Sequence, residues 1–196
     1  MDAKSVLSHY ADELRRIYGL NCEVDAAFGK WVDFLKTCDL EKHMIFSVGG
    51  DPNDKDTTFQ YWGIMGDLAA KAARDGENSK RLRRMAVAFA YSLWEAETRA
   101  SLAALCGLST EEITHPAFGD LRKLRHAVIH VNGRLDKDLE VMTFLQKGDI
   151  VDLTNLQFHQ LFKALVMSLN EIGETYFDLQ PRFELDKKFQ ATQSPE

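Results

Sequence analysis

The sequence predicts an all-α helical bundle, and three observations predict it. Apolar residues recur at three- and four-residue spacing along nearly every long segment. Helix start and stop signals punctuate those segments, and no stretch alternates apolar and polar residues long enough for a sheet. With 196 residues, 45% of them hydrophobic and only four prolines, the chain is sized for one domain with a substantial core. That domain is expected over 1–190, with a loose, flexible tail, ATQSPE, over 191–196.

In order along the chain, a first helix is expected over 3–18, ending at Gly19. A second runs from Val24 to His43, where Val24, Phe28, Trp31, Val32 and Leu35 fall at helical intervals. SVGGDPNDKDTT is a loop by its Gly, Asp and Asn content, and a third helix follows over 58–74, closing at RDGENS. Ser79 is the expected N-cap of the longest helix, 80–106, which stops at Cys106-Gly107. Ser109 and Glu112 form a capping box for one short turn, and Pro116 separates it from the next helix. Asp120 is the expected cap of that helix, with Gly119 at its entry and Asn132-Gly133 as its stop. A short helix over 136–146 and one short extended piece, Ile150 to Leu153, come next. Thr154 and Gln157 make a second capping box, opening a last helix to Phe177.

Charge and motif content narrow the function. The net charge of −6, from 30 acidic and 24 basic residues, argues against attraction of nucleic acid by the chain as a whole but allows a local basic site. Cys22, Cys38 and Cys106 fit no zinc spacing, and an odd number argues against a disulfide framework. The start, MDAKSVLSHYADEL, has no secretion pattern, and no apolar run is long enough for a membrane span. A cytoplasmic location and no membrane partner are expected. There is no Walker-type loop, dinucleotide fingerprint or H-E-x-x-H, and FSVGGDPND does not match the calcium-loop order. No cofactor and no metal are expected.

The segment with chemical content is GDLRKLRHAVIHVNG, residues 119–133. On a helix, Leu121, Leu124, Val128 and Val131 form the inward stripe. Arg122, His126 and His130 follow at four-residue intervals on the polar side, with Arg125 on its other flank. The i,i+5 separation of Arg125 and His130 predicts either a bend near the helix end or a second copy completing the cleft. One reading of this face is a solvated surface with two incidental histidines. The other is a site for an anion: guanidinium offers a rigid fork of donors to phosphate oxygens, and imidazole carries protons near neutrality. His130, at the helix end, also gains from the C-terminal dipole when charged.

LRHAVIH, Leu124 to His130, fits an R-x4-H pattern, with FGDL ahead and VNG behind. YSLWEAETRASLAALCG, residues 91–107, supplies a long preceding helix with a Trp-Glu pair and a following arginine. Together they resemble the HEPN domain family, over about 80–135. The resemblance implies a HEPN-like helical bundle and a metal-independent endoribonuclease site at a homodimer interface, with RNA as substrate. It puts the catalytic roles on Arg125 and His130, and the setting it implies is a toxin or phage-defence effector, covered by an antitoxin or regulatory protein. The position after the arginine, often asparagine in that family, is here His126. That departure leaves open a noncatalytic module that grips RNA, nucleotide or an acidic partner.

Among supporting residues, His126 is expected to assist as acid or to position His130, and Arg122 to hold a neighbouring phosphate. Glu95 either pairs with Arg99 one turn away or reaches across to orient Arg125 or a histidine. Asp120 is an N-cap or a base, and Asn132 marks the turn beside the site. Lys123 and Arg134 are expected to face solvent, while His43, His115 and His159 have local roles. Trp31, Trp62 and Trp94 are expected in the core or an interface. KRLRR, residues 80–84, is either an RNA-backbone contact or a solvated helix face.

Overall fold

A computed structural model describes residues 2–48 and 59–180. The molecule is mostly helical, with one small two-stranded sheet. Its elements are α1 (Ala3–Leu35), β1 (His43–Val48), β2 (Phe59–Ile64), α2 (Met65–Ala72), α3 (Glu77–Leu93), α4 (Arg99–Cys106), α5 (Pro116–His130) and α6 (Asn155–Phe177). The loop expected over 47–58 falls for the most part outside the described residues, as do 181–190 and the expected tail over 191–196.

The chain divides into two compact units, 1–20 with 82–196, and 21–81. The first holds the charged segment. Its core gathers Leu7, Tyr10 and Leu14 of α1, Trp94, Phe118, Leu121 and Leu124, and Phe158, Phe162 and Leu165 of α6, all buried. Trp94 stacks face to face on Phe118, centroids 3.7 Å apart, and Tyr10 packs against both while donating its hydroxyl to the Ala90 carbonyl. Arg83 is fully buried and donates to the Leu153 carbonyl; Arg84 donates to the Val151 carbonyl and pairs with Asp152. These two arginines of KRLRR therefore hold the strand-like 151–153 segment and do not present themselves to an RNA backbone.

In the second unit, β1 and β2 pair antiparallel with Ile45 opposite Trp62. Trp31 stacks on Phe34 and meets Phe46, and Leu35 and Leu68 are buried. Trp62 stays largely exposed on the hairpin and is not part of the core.

Several boundaries differ from the sequence expectation. The first helix does not stop at Gly19: α1 runs unbroken from Ala3 to Leu35, replacing the two helices expected over 3–18 and 24–43. A single interior glycine costs only about 1 kcal/mol, which the buried Ile17 and Tyr18 beside it outweigh. The helix expected over 58–74 is a strand to Ile64 followed by α2, since FQYWGI is rich in aromatic and β-branched side chains. The long helix begins at Glu77, so Ser79 is not its cap; buried, it donates to Asp25 instead. Between α3 and α4 the helix widens into a π-turn at Trp94–Thr98. The capping boxes at Ser109 and Thr154 are both present, and Gly107 closes α4 at φ 67°. The extended piece expected near Ile150 is a single bridge from Ile150 to Arg134.

Candidate functional site

The charged helix starts at Pro116, four residues before its expected cap, Asp120. Pro116 occupies the first turn, where its missing N–H costs nothing, and the N-cap is His115. The His115 Nδ1 accepts from the Ala117 amide at 3.2 Å, so the ring proton sits on Nε2, which donates to Glu171 at 2.8 Å.

Asp120 lies inside the helix, not at its cap, and is fully buried. It accepts the backbone N–H groups of Glu140, Val141 and Met142 and the Lys123 ammonium. Burial by itself would raise its pKa, but these donors outweigh it and hold the carboxyl below its ordinary value. The same clamp explains why 136–146 is not a helix. Leu139, Met142 and Leu145 are buried, yet successive amides converge on one carboxylate instead of turning into a helical ladder. Lys123, expected to face solvent freely, is thereby tied to Asp120 and to the Asp138 carbonyl.

At its other end, α5 finishes at His130. Asn132 and Gly133 take left-handed backbone angles of 51° and 80°, and the Gly133 amide closes on the Ala127 carbonyl at 2.8 Å. A side chain at Gly133 would be strained there and would meet Ile150. His130 is thus presented from the last turn, exposed to solvent, next to exposed His126 and half-buried Arg125.

Arg125 Nη1 lies 3.1 Å from His130 Nε2. The i,i+5 spacing is spanned within one chain, so bringing these two groups together needs neither a bend inside α5 nor a second copy. Arginine has no acceptor, so its N–H donates and His130 Nε2 contributes its lone pair. The His126 ring is 5.2 Å from that of His130, and its Nε2 is 3.9 Å from an Asp136 oxygen. The chain matches no family model, no curated protein and no solved structure. What the arrangement does chemically follows from its own atoms.

Glu95 does not reach Arg125. Both of its oxygens accept from Arg99 Nη1 at 3.1 Å, and the Tyr91 hydroxyl donates to it at 3.2 Å. Arg99 also donates from Nε to the Ile113 carbonyl. Burial first, and the Glu95 carboxylate second, push the Tyr91 hydroxyl above its ordinary pKa. These side chains line a cavity of about 140 Å³ that Arg122 and His115 also border. Arg122 makes no hydrogen bond or ion pair among the described residues. Asn132 serves the site through its backbone turn.

Tyr91 and His115 are the two members that sequence reasoning missed. Tyr91 stands one turn before Glu95, a signal that was legible. His115 directly precedes Pro116, which marks an N-cap position, although histidine is not a usual cap. Among the described residues no three His, Cys, Asp or Glu side chains converge as a metal site would require. No helix among them is long and apolar enough to cross a membrane.

Proposed function

We propose that the exposed end of α5 is an endoribonuclease site in which Arg125 and His130 act as a pair on a phosphodiester of RNA. The observation that carries this reading is the 3.1 Å contact between Arg125 Nη1 and His130 Nε2 at solvent. It sets a phosphate-binding fork beside an imidazole nitrogen with a lone pair, and the resemblance to HEPN domains supports the same two roles. When a phosphodiester enters, the guanidinium turns its donors to the phosphate oxygens and releases Nε2. His130 then accepts the proton of the 2′-OH as that oxygen attacks phosphorus, and the 5′-oxygen leaves with a proton from His126 or water. The products are a 2′,3′-cyclic phosphate and a free 5′-OH. Arg125 stabilises the charge that builds on the equatorial oxygens.

The test incubates purified protein with mixed single-stranded RNAs in excess EDTA. Wild type is expected to cleave, and Arg125→Ala and His130→Ala each to lose about 10²-fold or more. Binding of all these RNAs without cleavage would sink the enzyme and leave a noncatalytic RNA-binding module.

A further inference from the structure

The cavity bordered by Arg122, three residues before Arg125 on α5, has a composition that this cleavage step does not use. Its floor is the stacked, buried pair Trp94 and Phe118, and its rim carries Tyr91, Glu95, Arg99 and Arg122. At about 140 Å³ it is well under the roughly 300–1,000 Å³ of a pocket for a drug-sized ligand. It suits one flat ring attached to something larger outside. The π-turn at Trp94–Thr98 is a second, independent feature. Such widened turns are uncommon and concentrate at functional sites, and this one begins at the two residues, Trp94 and Glu95, that face the cavity.

The geometry points to a base-binding subsite for guanine, on the nucleotide next to the scissile phosphate. This inference rests on the ribonuclease reading and adds a sequence preference to it. Glu95 offers two carboxylate oxygens, with its side chain about 43% exposed. Arg99 approaches both oxygens from one side and keeps the carboxylate charged and oriented. Guanine is the base whose Watson–Crick edge sets two N–H donors side by side, N1–H and N2–H. Adenine and cytosine each place one amino group beside a bare ring nitrogen, and uracil places one N–H between two carbonyls. Against a carboxylate those acceptors are repelled. The Tyr91 hydroxyl makes the longest contact to Glu95, 3.2 Å, and a bound guanine displaces it toward its own O6 acceptor.

Arg122 links this cavity to the cleavage pair. It borders the cavity, stands one helical turn before His126, and has no hydrogen bond or ion pair among the described residues. A phosphate bridging the guanosine and its neighbour meets that guanidinium while the next phosphate lies at Arg125.

The experiment reads binding, not cleavage. Fluorescence anisotropy would compare 2′-O-methyl oligouridine hexamers, which lack the attacking hydroxyl, carrying one guanosine, inosine or adenosine. For the wild-type protein the guanosine oligomer is expected to bind about tenfold more tightly than the adenosine one, the loss of two hydrogen bonds to a charged acceptor. Inosine, which lacks only the N2 amino group, should fall between them. Glu95→Gln should bring guanosine and adenosine within about twofold, while Arg125→Ala weakens all three alike. Because inosine changes the ligand, the wild-type series stands even if Glu95→Gln fails to fold. Equal binding of the three oligomers, still weakened by Arg125→Ala, overturns the guanine subsite and leaves the RNA site. Absence of binding to any of them overturns both.

Discussion

Asp120 is a fully buried carboxylate whose charge is balanced by three backbone N–H groups and one lysine, with a distance of 2.7 Å to the Val141 amide. Replacing it by asparagine keeps the volume but sets an amide N–H among donors. Asp120→Asn is expected to cost about 3 kcal/mol in urea denaturation. The pH dependence has a definite sign. Its folded pKa is depressed below the ordinary 3.8, so its stabilisation is full above that value and is lost as pH falls further, through the folded pKa. In Asp120→Asn that part of the acid sensitivity should vanish, a difference visible in melting temperatures measured below pH 5. At the exposed pair the opposite holds: Arg125→Ala and His130→Ala should leave stability within about 0.5 kcal/mol, so lost cleavage in them reports chemistry.

The helices owe their ends to local chemistry and their positions to packing. Thr154 and Gln157 satisfy each other's backbone groups at the start of α6, with the Gln157 amide 3.3 Å from the Thr154 hydroxyl. Thr154→Ala is expected to lower stability by about 1 kcal/mol without altering RNA binding, read by urea denaturation and anisotropy on the same sample. On α5, Pro116 and His115 set the entry while Asn132 and Gly133 set the exit. The helix length between these signals is what leaves His130 on the last turn, one residue before the backbone departs from helical angles. Had Asp120 been the cap, the helix would have lost its first turn, and with it the Trp94–Phe118 stack that floors the cavity.

For the molecule as a whole, the site lies entirely within the unit formed by 1–20 and 82–196. It is a local cationic group on a chain of net charge −6, so any RNA contact depends on a few arginines and not on a broad field. The homodimer that the HEPN resemblance implies is a proposal, checked by sedimentation at micromolar concentration. Whether its cleavage pair forms within a chain or between chains is a separate question with its own test. Mixing Arg125→Ala with His130→Ala protein restores activity if each site borrows one residue from each copy. Since Arg125 and His130 already meet in one chain at 3.1 Å, the mixture is expected to stay inactive. Recovery toward about a quarter of wild-type cleavage, one intact site in each heterodimer of an equal mixture, would overturn that assignment.

What could be read directly from the residues was whatever depends on neighbours a few positions away. The helical class, the capping boxes at Ser109 and Thr154, the stops at Gly107 and Asn132-Gly133, and the clustering of Arg122, Arg125, His126 and His130 on one helix are all of this kind. Folding settled the rest through partners remote in sequence. Gly19 did not end α1 because packing of the residues around it outweighed a small propensity cost. The hairpin was hidden because its strands, HMIFSV and FQYWGI, carry aromatic side chains on both faces and show no alternation. Arg83 and Arg84 became anchors for 151–153 instead of surface charges. Asp120 became a clamp on amides some 20 residues away. A side chain's type limits the bonds it can make, but a buried charge goes to whichever donors the packed core brings within about 3 Å, and that choice is not written in local spacing.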